Sequence, residues 1–143
     1  MLSWQVKQVL NAVNGSTLLG LAIGVIGRVR FEHGPRGLVL AAGYQLRQPS
    51  APAFTVGNVV LTTHDTDWLL GRPQLLAHEE RHTWQYAACL GLPMLPLYLL
   101  AAGWSWARGG DIATRNAFER LAGLEGGGYF TLSARARRRP RVA

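Results

Sequence analysis

The chain has a single cysteine, Cys89, so it forms no internal disulfide and no cysteine-rich zinc finger. Any metal site must therefore draw on histidine and carboxylate. Charge is also scarce, at 16% of residues against about 25% in an average domain. The 48% hydrophobic content excludes a disordered or low-complexity body. A phosphate-binding glycine loop, a dinucleotide fingerprint, an internal repeat and a recognisable secretory signal are all missing, and the last of these sets the expectation of a cytoplasmic protein. No unbroken apolar run reaches the ~20 residues of a bilayer span, because Gly91, Pro93 and Pro96 interrupt the uncharged stretch from Thr83 to Ala107.

The net charge of +7 is local. Arg135, Arg137, Arg138, Arg139 and Arg141 supply five of the fifteen basic residues, which leaves ten basic against eight acidic side chains over 1–134, or +2. The expectation is one domain over 1–134 followed by a solvated basic tail over 135–143, with no specific nucleic-acid partner. Peripheral membrane contact through the tail and the apolar helices is an alternative role for the same features.

Periodicity places the elements. Leu2, Val6, Val9, Leu10 and Val13 recur at helical spacing, so 2–14 reads as an amphipathic helix stopped by Asn14-Gly15. A second, all-apolar helix over about 17–27 is capped by Ser16 or Thr17, and its Gly20 and Gly24 allow close approach to another helix or to lipid. Alternation over Arg28–Glu32, a Gly34–Gly37 turn and Leu38–Leu40 predict a hairpin, and Phe54–Thr62 predicts a third strand. The implied sheet is small and mostly antiparallel, within an α+β fold. Pro73 starts a helix that ends near Leu90. Leu95–Ala107 reads as a buried core helix or a membrane-touching one, with Trp84, Tyr98, Trp104 and Trp106 as an aromatic rim. A last helix covers about 113–124, and Cys89 reads as a small buried hydrophobe.

The chemistry is concentrated in His78-Glu79-Glu80-Arg81-His82, an H-E-x-x-H pentapeptide within the best helical segment. Residues four apart share a helix face, so both imidazoles can reach one Zn²⁺ while Glu79 projects beside its water. The third ligand must come from elsewhere, with Glu119, His64, Asp111 and Glu125 as candidates. Each has a plainer reading. Asn116 and Glu119 can form a helix-capping pair, and His64, Asp65 and Asp67 can form a turn and a cap.

Together, His78-Glu79-x-x-His82 and the later Asn116-Ala-Phe-Glu119-Arg-Leu-Ala122 resemble the zincin metallopeptidases of the gluzincin type, in particular the single-domain minigluzincins. The resemblance spans about 54–123. It implies His78, His82 and Glu119 as zinc ligands, Glu79 as general base and a peptide or protein as substrate. It also implies a sheet packed on the motif helix and the ligand helix, with Phe54–Thr62 holding an extended peptide. Tyr86 and Tyr129 are candidate donors to the oxyanion. A noncatalytic, zinc-stabilised interaction domain is the alternative, suggested by the charges of Glu80 and Arg81 at positions that are usually uncharged in the peptidases.

Overall fold

Two hairpins build the sheet. In the computed structural model, which describes residues 2–49 and 51–129, β1 (Arg30–His33) pairs antiparallel with β2 (Val39–Ala42), with Arg30 opposite Ala42 and His33 opposite Val39. The single strand expected over 54–62 is instead a second hairpin, β3 (Ala53–Val56) and β4 (Val59–Thr62), with Val56 opposite Val59. Gly57 turns the chain there with φ +63°, a conformation that an L side chain resists. β4 then inserts between β3 and β2 and runs parallel to β2, giving the order β1-β2-β4-β3. The sheet is thus four-stranded rather than three-stranded, and it is mixed, with two antiparallel pairings and one parallel pairing. The tail expected over 135–143 lies outside the described residues.

Alternation along β4 divides the core. Val59 and Leu61 face a cluster with Tyr44, Val56, Tyr86 and Met94, whereas Val60 faces Leu38, Leu40, Leu69 and Leu76. Six α-helices surround the sheet among the described residues: α1 (Ser3–Val13), α2 (Ser16–Ile26), α3 (Thr66–Leu70), α4 (Pro73–Ala88), α5 (Met94–Gly109) and α6 (Ala117–Ala122). α2 is capped by Gly15 rather than by Ser16 or Thr17. Its Gly20 and Gly24 face the β3–β4 hairpin and Phe31, not another helix or lipid. α3, which periodicity did not separate from the loop, is capped by Asp65, which accepts from the Trp68 N–H at 2.7 Å. The helix expected over 113–124 is only α6, because Asp111 accepts from the Ala113 and Thr114 N–H groups and holds a turn before it.

α1 is amphipathic as expected, but its polar stripe faces the protein. Lys7 and Asn11 are fully buried, while Leu2, Val6, Val9, Leu10 and Val13 are exposed. Asn11 Nδ2 donates to Asn58 Oδ1 at 3.0 Å and to the Thr83 carbonyl at 2.8 Å. The Lys7 ammonium lies 3.5 Å from Glu80, which Arg36 also binds through Nε at 2.7 and 2.9 Å. Burial pushes the Glu80 carboxyl up, but the Arg36 hydrogen bonds and the Lys7 and Arg36 charges outweigh it, so the net shift is below the ordinary 4.5. This contribution to stability is therefore full above about pH 4.5 and is lost as pH falls through the lowered folded value. Glu80→Ala strands a buried ammonium and is expected to cost about 2 kcal/mol, most of it recovered by adding Lys7→Met. Urea denaturation of the single and double variants measures both effects.

Candidate metal centre

α4 begins at Pro73, whose fixed φ suits a first helical turn, and its buried face carries His78, Glu79 and His82. α6 begins at Asn116, whose Oδ1 accepts from the Phe118 N–H at 3.0 Å. Asn116 thus caps α6 without help from the Glu119 side chain, which turns to the histidines instead. Glu119 Oε2 lies 3.0 Å from His78 Nε2 and 3.3 Å from His82 Nε2, and the two Nε2 atoms are 3.1 Å apart. A tetrahedral ion with ligands at about 2.0–2.1 Å requires ligand separations of about 3.3 Å. The three residues form a group that can hold a metal ion.

Hydrogen bonds at the far side of each ring turn the remaining acceptor atoms inward. His78 Nδ1 lies 2.7 Å from the Gly123 carbonyl and His82 Nδ1 lies 2.8 Å from Gln85 Oε1. Both partners are acceptors, so each Nδ1 carries the proton and each neutral imidazole turns an Nε2 lone pair inward. Glu119 Oε2 is then a third buried acceptor with no donor. Either a proton on Nε2 or a metal ion relieves the conflict. Burial alone would lower the His82 pKa, but the hydrogen bond to Glu119 and the Glu79 and Glu119 charges outweigh it and raise it above 6.5. Burial likewise pushes Glu119 up, and the histidines and Tyr98 together bring it well below the carboxylate range.

α4 also fastens α6 along its length. Gln85 Nε2 donates to the Phe118 carbonyl at 2.8 Å and Arg81 to the Ala122 carbonyl at 2.6 Å. From α5, the Tyr98 hydroxyl donates to Glu119 Oε1. The chain then folds over His78 so closely that a Cβ on Gly127 would lie 2.6 Å from the ring. This brings Tyr129 to a ring-centroid distance of 6.2 Å from His78. Burial, then the charges of Glu119 and Glu79, push the Tyr129 hydroxyl up to about 12. On the other side, Thr55 of β3 donates to Glu79 Oε2 at 2.6 Å. Burial raises the Glu79 pKa, an effect that His82, Thr55 and His78 partly offset.

The other candidates lie elsewhere. His64 stacks on Trp68 with centroids 3.8 Å apart, Asp111 holds the turn before α6, and Glu125 is exposed. Tyr86 packs in the core with Val59 and Met94, which removes it as a donor beside the histidines. Tyr98, expected as part of an apolar rim, is instead a site residue, and Thr55 and Gln85 were not anticipated. Gln85 had a readable signal, standing one turn after His82, whereas Thr55 and Tyr98 arrive from other elements. No family model matches the chain, and neither does a curated protein or a solved structure.

Proposed function

We propose that the protein is a zinc-dependent peptidase of the zincin type, with His78, His82 and Glu119 as ligands and Glu79 as general base. The observation that carries this reading is the convergence of three buried acceptor atoms at 3.0–3.3 Å, one of them without a donor. Two imidazoles and one carboxylate are a donor set that suits zinc, whereas oxygen-rich sites suit magnesium or calcium. When bound, zinc supplies a polarising charge for a peptide carbonyl and acidifies water.

The chain's own groups supply the remaining chemistry. Glu79 takes a proton from the attacking water and returns it to the leaving amine, and its raised pKa suits a group that must do both near neutral pH. Thr55 orients that carboxylate, and Tyr98 positions Glu119. Tyr129 keeps its proton at neutral pH and so can donate to the developing oxyanion. β3 is an edge strand and carries Thr55, so a peptide extended along it would pass beside Glu79. The charges of Glu80 and Arg81 are engaged elsewhere, with Arg36 and Lys7 and with the Ala122 carbonyl. Both charges thus have structural partners away from the three converging atoms, which supports the catalytic reading. Zinc-loaded protein is expected to cleave members of an unbiased peptide library, and chelated protein none; a zinc-loaded sample that leaves every peptide intact would favour the noncatalytic domain.

A further inference from the structure

The largest unexplained feature of the molecule is its outward-facing apolar surface. Val9 and Val13 of α1 are 53% and 81% exposed, and Leu99, Leu100 and Trp106 of α5 are 69%, 72% and 64% exposed. α5 is thus neither a buried core helix nor detached, since Met94, Ala102 and Ser105 are buried on its inner side. The orientation of α1 is not a loose docking, because Lys7 and Asn11 anchor its polar stripe inside. The α1–α2 corner and the turn between α4 and α5 also touch: the space beside Gly91 is filled by the side chain of Asn14. Next to that contact stands Leu90, 78% exposed and held at φ +59°, a conformation that a leucine rarely adopts. Apolar exposure on this scale, on helices whose corner and turn touch, marks a binding surface.

The charges around the surface specify its partner. There is no Asp or Glu from residue 1 to Phe31, and none from Arg81 to Gly110. The exposed charges at the ends of these helices are cationic: Arg28 and Arg30 follow α2, and Arg108 ends α5, stacked 4.5 Å over the Trp104 ring. Five more arginines follow Tyr129 in the sequence. Pairing two copies through this face would bring these cationic helix ends together. A lipid leaflet, by contrast, offers an apolar layer beneath an anionic one, and tryptophan and arginine are residues that settle at that boundary. Among the described residues, no single helix is long and apolar enough to cross a membrane. α1 and α2 pass that test only jointly, with a 73° bend between them, a shape compatible with lying in an interface.

We propose that the outer faces of α1, α2 and α5 dock on a lipid bilayer containing anionic headgroups. Docking does not depend on the peptidase reading, since none of these outward residues belongs to the metal centre. The test is flotation of the full chain with vesicles of phosphatidylcholine alone or mixed with phosphatidylglycerol. The wild type is expected to partition onto the mixed vesicles about tenfold better than onto the neutral ones. Leu99→Glu/Leu100→Glu is expected to reduce that partition by about tenfold or more. Leu90→Asn is a second variant with little folding risk, because asparagine accepts a left-handed backbone better than leucine does, and it should also lower partition severalfold. Matching far-UV spectra and zinc contents confirm that the variants are folded. Absence of partition by the wild type overturns the proposal. So does partition that survives both variants but vanishes on deletion of 130–143, which would assign binding to the tail alone. A dimer that the leucine variants dissociate, without vesicle binding, would assign the face to a second copy instead.

Discussion

Glu79→Gln is expected to lower peptide hydrolysis by a factor of about 10²–10⁴ while leaving the zinc content unchanged. The amide keeps the carboxylate's shape and still accepts from the Thr55 hydroxyl, which now lies 2.6 Å from Glu79 Oε2, but it cannot take up a proton. Glu79 is not among the three residues whose acceptor atoms converge, so its loss should separate proton transfer from metal binding. The measurement is kcat/KM on any peptide the wild type cleaves, with zinc quantified in the same samples. Activity unchanged in the zinc-loaded variant would sink the assigned mechanism.

His82→Ala is expected to weaken zinc binding by about 10³-fold. A protein zinc site is worth on the order of 12 kcal/mol, and losing one ligand of three removes roughly a third of it. Glu119→Ala should cost a comparable amount, since it removes the only anionic ligand. Competition against a chelator of known affinity measures both, and wild-type affinity in Glu119→Ala would move the third ligand elsewhere. Zinc uptake should also compete with protons, because an imidazole must be neutral to bind the ion and the neighbouring carboxylates raise the His82 pKa above 6.5. Affinity is therefore expected to fall steadily as pH drops below that raised value.

The metal centre was legible because its signals are local. His78 and His82 need only a helix to share a face, and Pro73 and Gly91 bound that helix in the sequence. Glu119 was legible only as one of several candidates, and the turn formed by Asp111 and the cap formed by Asn116 are what settle its direction. The sheet was harder to read. A run from Phe54 to Thr62 looks the same whether it is one strand or two until Gly57 is seen at positive φ, and nothing local indicates that β4 will pair in parallel with β2. The orientation of α1 could not be read at all. Periodicity shows that a helix has two faces, but which one turns inward depends on Glu80 and Asn58, 73 and 47 residues from their partners Lys7 and Asn11.

α6 has six residues, far fewer than the ~12–15 a helix needs to persist alone in water. Its existence depends on what α4 and α5 offer it: the Gln85 and Arg81 donors, the two imidazoles and the Tyr98 hydroxyl. If the site is filled as proposed, ordering of α6 and capture of the ion form one coupled equilibrium, in which each step supplies part of the driving force for the other. Without the ion only a proton on an imidazole can offset the repulsion of the three converging lone pairs, so the stretch after Gly110 is expected to open more readily than in the zinc-loaded protein. Amide exchange across 111–123 is accordingly expected to slow when zinc is added, and loss of the ion to keep pace with the undoing of a six-residue helix.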